Sequence, residues 1–349
     1  MSHTWSPEYY LNSSTTKSTP VLRDTNMDTL RPTSSVMDCS YEAHFQYYLF
    51  PAVYTFVFVV GLIGNVSALC IFIKETKKAS RSFIYIANLI IVDLIYICTL
   101  PFRIHYHLKM NNWIFGDITC RITGTFFFAN IYLSVIFLSL ICMDRYIAVV
   151  HPRKYIRMRG TNCSLVTSAL VWAMALATML PLIFGGSLNT PWTNNTTACF
   201  ENFDFETWSN RLVVYNIMPF LLGFFLPFTI MIIFYPLAAK KISKFKSSVH
   251  KKKAFTMICI IMVISILCFV PFHFTHLLHF LARMNFIQNC AFKTFLYKTR
   301  RMTMALVSLN CCLDPLIYFF ATNKFKPSYR TGRGSLQKVY SIVWRRTER

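Results

Sequence analysis

Seven runs of apolar residues, at positions 48–73, 83–108, 119–141, 165–184, 213–239, 254–281 and 295–320, constrain this chain more than any other feature. Each is about as long as the roughly 20 residues that a helix needs to cross hydrocarbon. A soluble domain of 349 residues buries a core without runs of that length. A bilayer offers no water to loose N–H and C=O groups, so each run is expected to be a helix. The expected fold is an all-α membrane protein, a seven-transmembrane helix bundle spanning residues 48–320. It is flanked by a disordered, glycosylated extracellular segment (1–47) and a cytoplasmic tail (321–349).

A formal net charge of +22 invites a nucleic-acid reading, but the location of the charges argues otherwise. Lys and Arg crowd into "KETKKASR", "RYIAVVHPRKYIRMR", "KKISKFKSSVHKKK" and "RTGRGSLQKVYSIVWRRTER", which fall between alternate spans and in the tail. The first 47 residues carry Lys17, Arg23 and Arg31 against five acids. The positive-inside rule then puts the N-terminus outside and the C-terminus in the cytoplasm of a plasma-membrane protein. The basic face suits anionic membrane lipid, and no nucleic-acid partner is expected. The N-terminal stretch is Ser/Thr-rich and lacks the pattern of a cleaved signal peptide. Asn12, Asn194 and Asn195 head acceptor sequons on the expected outer side.

Of the twelve cysteines, most sit in or beside spans, where a thiol is a small apolar filler. Cys39, Cys120, Cys199 and Cys290 fall outside. An even number in an oxidising compartment argues for two disulfides with three possible pairings. The topology favours Cys120–Cys199 and Cys39–Cys290. No Cys-Cys-His spacing reads as a metal site, and nothing asks for a cofactor.

Short motifs recur in order along the spans. They are "GLIGN" with Asn65, "NLIIVD" with Asn88 and Asp93, "MDRY" with Asp144, Arg145 and Tyr146, and "VWAMALATMLP" with Trp172 and Pro181. Next come "LPFTIMIIFY" with Pro227 and Tyr235, "CFVPFH" with Phe269 and Pro271, and "LNCCLDPLIYFF" with Asn310, Asp314, Pro315 and Tyr318. This set resembles the rhodopsin-like (class A) G-protein-coupled receptors over about residues 45 to 335. The resemblance implies a receptor that activates a heterotrimeric G protein by opening the cytoplasmic end of its sixth helix. Arrestin and receptor kinases are further partners it implies, with Ser328, Thr331, Ser335, Ser341 and Thr347 as tail phosphosites.

The residues carry physical content of their own. A carboxylate inside a membrane is costly, so Asp93 and Asp314 are expected to face the bundle and find partners. With Asn65, Ser134 and Asn310 they can form one polar cluster, which by resemblance holds a sodium ion; the alternative is a hydrogen-bonded cluster without an ion. Proline removes an intrahelical hydrogen bond and kinks its helix. Phe269, two residues before Pro271, stands where relatives often carry Trp and is expected to act as a ligand-sensitive toggle. Arg145 is expected to pair with Asp144 at rest, and with Tyr235, Tyr318 or a G protein once the bundle opens. "HKKKAFT" at the start of the sixth helix offers no acid to hold Arg145 across the bundle, so the resting latch is expected to be local. A short amphipathic helix with Phe325 and Tyr329 is expected after the seventh span.

The ligand reading rests on cations at the outer ends. Arg103, Lys298, Arg300 and Arg301, with His273, His276 and His279 on the sixth span, suggest an anionic ligand, because guanidinium groups pair bidentately with phosphate and carboxylate. The upper third span carries no acid, which argues against an amine. "GTFFFANIY" supplies Phe127, Phe128 and Tyr132 as candidate lining for an acyl chain. Within the family, "TLPFRIHYHL", "NNWIFGDITC" and the Cys39/Cys290 pair most resemble the branch of purinergic nucleotide and lysophospholipid receptors. "HFTH" at 273–276 lacks the cation that nucleotide receptors of this branch carry there, so a lysophospholipid-like ligand is favoured. A nucleotide receptor and a decoy that binds without signalling are the alternatives. No repeat suggests a transporter, and no convergent nucleophile or acid–base set suggests an enzyme.

Overall fold

The computed structural model of the chain describes residues 43–74, 81–157, 162–192, 196–201, 203, 206–244 and 249–321. Among the described residues six helices are long and apolar enough to cross a membrane: α1 (Gln46–Lys74), α2 (Arg81–Leu108), α3 (Gly116–Val150), α4 (Asn162–Phe184), α5 (Val213–Lys241) and α6 (Ala254–Arg283). The seventh, α7, is built from Cys290–Ser308 and Asn310–Ala321, joined at Leu309. Its first half carries Lys293, Lys298, Arg300 and Arg301, which lowers its hydropathy without preventing the helix. Asn12, Asn194, Asn195, Cys39 and the expected tail helix lie outside the described residues.

Several helices outrun the apolar runs. α3 continues nine residues past Ile141 to Val150, because helix geometry does not end where hydrocarbon does. That extension carries Asp144, Arg145 and Tyr146. α6 holds a π-helical turn, Ser265–Phe269, that ends two residues before Pro271. A proline cannot donate to the preceding turn and its ring crowds the carbonyl four residues back, and a widened turn relieves both. α5 widens in the same way at Pro219–Phe225.

α2 and α3 run through the middle of the bundle, with Ile86, Leu89, Ile97, Leu100, Val135, Phe137, Leu138 and Ile141 all nearly inaccessible. α4 and α5 turn Leu165, Leu170, Leu221 and Leu226 outward, as expected of lipid-facing helices. Hydrophobic sorting drives no helix pairing inside a bilayer, so close contacts and polar bridges must do so. At Gly64 an added Cβ would lie 3.1 Å from Pro315 Cγ, so a larger residue there would push α1 and α7 apart by a few tenths of an ångström. Asn65 Nδ2 sews the same seam, donating to the Gly61 and Cys311 carbonyls at 2.9 Å each. Asn88 joins α2 to α4 by accepting from Trp172 Nε1 at 2.8 Å.

Between α4 and α5 an antiparallel hairpin, β1 (Asn189–Trp192) with β2 (Thr196–Cys199), pairs Asn189 with Cys199. The Cys120–Cys199 disulfide, at an S–S distance of 2.05 Å, ties β2 to the start of the second turn of α3. Asp117 secures the strand's approach, accepting from the backbone N–H groups of Leu188 at 3.0 Å and Asn189 at 3.2 Å. Cys290 is also disulfide-bonded, while its expected partner Cys39 lies outside the described residues.

Candidate functional site

Under the hairpin the helices part around a cavity of about 210 Å³. Its wall changes character from one side to the other. Toward α6 and α7 stand His276, His279, Arg283, Tyr297, Arg300 and Arg301; toward α4 and α5 stand Val171, Met174, Met179, Met218 and Leu222. Three lining residues of this second group, Met174, Met218 and Leu222, are more than half exposed on the outer surface of the bundle. The cavity therefore opens sideways between α4 and α5.

Local sequence explains the space. Gly223 sits in the widened turn of α5, where an added Cβ would lie 2.8 Å from Tyr132 Cδ1. Glycine there lets the Tyr132 ring occupy the α3–α5 gap. Three polar atoms at the wall, Tyr132 Oη, Trp208 Nε1 and Arg301 Nε, have no hydrogen-bond partner among the described residues. Buried polar groups are rarely left so, and groups facing a cavity are available to a ligand.

The cations differ in how they are held. Arg301 forms an ion pair with Glu201, the second residue after the disulfide, and its Nη2 donates to Tyr297 Oη at 2.9 Å. Tyr106 donates to the same carboxylate. Arg283 donates to the Phe203 carbonyl at 2.5 Å and lies 5.8 Å from the centre of the Trp208 ring. Arg300 donates from Nε to His276 Nδ1 at 3.2 Å and makes no ion pair among the described residues. A partly buried guanidinium without a counter-charge is costly, and an anion entering the cavity would relieve that cost.

Of the ligand residues expected from sequence, Phe128, Tyr132, His276, Arg300 and Arg301 line the cavity together. Phe127 is buried behind it, its ring 5.9 Å from Tyr96. His273 stacks on Phe224 at 3.8 Å in the packed core. Arg103 is half-buried on α2 outside the lining, and Lys298 is exposed. Sequence reasoning missed Phe200, Glu201, Phe203, Trp208 and Arg283. Glu201 carried a signal, since an acid beside a cysteine on the hairpin is held close to α3.

Deeper in the bundle, Asp93 accepts from Asn130 Nδ2 at 2.9 Å, and Asn310 Nδ2 reaches Ser134 Oγ at 3.4 Å. Asn65 Oδ1, Asp93 Oδ2 and both Asp314 carboxylate oxygens have no partner among the described residues. Two buried carboxylates beside hydroxyl and amide oxygens are the donor set that suits a hard cation. The residues therefore fit the sodium ion that the family resemblance implies.

At the end opposite the hairpin, Arg145 Nη2 donates to Asp144 Oδ2 at 2.8 Å, Ser82 Oγ at 2.5 Å and Tyr155 Oη at 3.0 Å. Ser82 donates to Asp144 in turn. Arg81 Nε lies 3.6 Å from the other Asp144 oxygen, so one carboxylate is shared by two guanidinium groups. Tyr155, on the short helix Pro152–Arg157, lies beneath both, 5.5 Å from Arg81 and 5.9 Å from Arg145. Tyr146 stacks on Phe234 at 4.5 Å. Tyr235 stacks instead on Phe255 at 5.9 Å, and Tyr318 is buried near Phe83. The latch in this structure is local and does not reach either tyrosine. Phe269 is wholly buried at the π-helical turn. Arg81, Ser82 and Tyr155 were not anticipated from sequence.

Comparison with known proteins agrees with this architecture. A family model described as "7 transmembrane receptor (rhodopsin family)" matches residues 64–318. Lysophosphatidic acid receptor 6 of Gallus gallus is 35% identical over 290 residues, covering 82% of this chain and 94% of that protein. Lysophosphatidic acid receptor 4 of Homo sapiens is 35% identical over 295 residues, covering 83% and 79%. The uracil nucleotide/cysteinyl leukotriene receptor of Homo sapiens is 33% identical over 291 residues, covering 82% and 77%. The chain belongs to the rhodopsin family of seven-transmembrane receptors: it is a multi-pass membrane receptor and not an enzyme.

Proposed function

We propose that this receptor binds an extracellular anionic lipid of the lysophospholipid class and passes that binding to a heterotrimeric G protein at the opposite end of the bundle. The observation that carries the reading is the two-sided cavity. Arg300, with no counter-charge among the described residues, stands on one side, and an aliphatic wall open to the bilayer on the other. A phosphate can take the guanidinium through charge-assisted hydrogen bonds, while the hydrocarbon leaves between α4 and α5. The cavity's size supports the same route. At about 210 Å³ it is smaller than the roughly 300–1,000 Å³ of enclosed ligand pockets, so a long chain must extend beyond it. Two of the relatives are named as lysophosphatidic acid receptors, which fits this chemistry.

The hairpin end faces outside the cell and the Asp144–Arg145 end faces the cytoplasm of the plasma membrane, in keeping with the charge distribution. The agonist's arrival beside His276 bears on α6, whose widened turn at Ser265–Phe269 lets the segment below Phe269 and Pro271 swing outward. Arg145 then leaves Asp144 for the G protein. G-protein dissociation in cells, measured with oleoyl lysophosphatidate and with ADP and UTP, tests this. The lipid is expected to act and Arg300→Ala to weaken it at least about tenfold, the loss of one hydrogen bond to a charged group. A response to the nucleotides alone would overturn the lipid assignment.

A further inference from the structure

Six aromatic side chains on the cavity wall touch in sequence. Ring centres are separated by 5.8 Å for His276–Phe128, 5.6 Å for Phe128–Phe200 and 6.1 Å for Phe200–Phe203. The series continues at 6.3 Å for Phe203–Trp208 and 6.2 Å for Trp208–His279. His279 and His276 are three residues apart on α6, so they share a face of the helix and close the loop. All six line the cavity. They come from α3, the hairpin and its sequel, and α6, and they share the cavity wall with the guanidinium groups and with the aliphatic residues of α4 and α5.

Phe200 is held in this loop at a cost. Its φ is +61°, a left-handed conformation that bulky residues rarely adopt and that persists where surrounding structure imposes it. Its ring rests where a side chain on α3 would otherwise be: a Cβ on Gly124 would lie 2.6 Å from Phe200 Cγ and 2.7 Å from Cε2. Glycine on α3 and a strained backbone on the hairpin together set how far this ring reaches into the cavity.

We propose that the six side chains form an aromatic collar that selects the ligand's tail, passing one hydrocarbon chain and rejecting a lipid with two, and that Phe200 sets its width. The inference rests on the reading of the ligand as an anionic lipid. The headgroup sits on Arg300, the chain threads the collar, and its end lies along Val171, Met174 and Leu222. Flat π-faces suit a single flexible chain, and a second chain meets the Phe128 and Phe200 edges.

The test measures binding of oleoyl lysophosphatidate and dioleoyl phosphatidate to purified full-length receptor in nanodiscs of neutral lipid. The receptor is expected to prefer the single-chain lipid by more than about tenfold, within the range that pocket size alone supplies. Phe200→Ala is expected to bring the two affinities to within a few-fold of each other. Gly124→Ala, which drives the ring into the lumen, is expected to weaken the single-chain lipid about tenfold, and the double variant to recover it. An unchanged preference in Phe200→Ala, or no recovery in the double variant, overturns the collar while leaving the lipid reading intact. If the unaltered receptor binds neither lipid, the lipid reading fails and the collar with it. Should Phe200→Ala not fold, Phe200→Leu is read by the same ratio.

Discussion

Replacing Glu201 by Gln isolates the electrostatic balance of the cavity, because the two side chains have nearly the same shape. Glu201 compensates Arg301, whose side chain is 5% exposed, and accepts from Tyr106. Glutamine keeps an acceptor for Tyr106 but leaves the guanidinium without a counter-charge. Removing one partner of a buried pair costs about 3–5 kcal/mol. The cavity is open to its surroundings, so the lower end applies, roughly a hundredfold in an equilibrium constant. The ligand-free receptor is therefore expected to melt several degrees lower. An anionic headgroup then meets two guanidinium groups, Arg300 and Arg301, and no acid, so its affinity is expected to rise about tenfold. Thermal melting of purified receptor, with and without oleoyl lysophosphatidate, reads both effects. The variant should melt lower alone and gain more from the lipid. A ligand-free midpoint equal to that of the unaltered protein, or a smaller gain with lipid, would refute the reasoning.

Arg145→Ala is expected to abolish G-protein dissociation while ligand binding and surface expression stay largely intact; full signalling would remove the latch role. Arg81→Ala leaves Arg145 as the one guanidinium on Asp144 among the described residues, tightening the resting latch, and leaves the carboxylate with Ser82 but no counter-charge once Arg145 departs. Both effects predict that several-fold more agonist is required, and a lower requirement in a concentration–response measurement would contradict them. Sodium chloride is expected to raise the melting temperature above that in choline chloride at equal ionic strength, and Asp93→Asn to remove the difference. A salt response identical in the two salts would leave Asp93, Ser134 and Asp314 as a cluster without an ion.

The bundle was legible because hydrocarbon imposes one solution on long apolar runs, and Asn65, Asp93 and Asp314 stood out as polar groups inside them. Boundaries were less legible, since α3 extends well past its apolar run to carry Asp144 and Arg145. Arg300 and Arg301 could be named from sequence, but their opposite states could not. That difference depends on Glu201, which the Cys120–Cys199 bond and the hairpin register bring across the cavity. Lys298, two residues from Arg300, and Arg103, at the outer end of another span, carry the same charge, yet helix phase turns the first outward and leaves the second off the lining. The collar was invisible for a similar reason: Phe200 enters the cavity through a left-handed backbone and a glycine on another helix. Arg81, Ser82 and Tyr155 meet Asp144 only through the packing of α2 and the short helix after α3.

The central claim is that an anionic lipid seated on Arg300 opens the far end of the bundle. Its most direct test is the distance between spin labels at Arg153→Cys, following α3, and Thr256→Cys on α6, with exposed Cys70, Cys98 and Cys163 replaced by serine. Adding oleoyl lysophosphatidate to purified receptor should lengthen that distance by several ångströms, and Arg300→Ala should abolish the change at the same lipid concentration. A distance that stays fixed on lipid addition, or that lengthens equally without Arg300, would contradict the account.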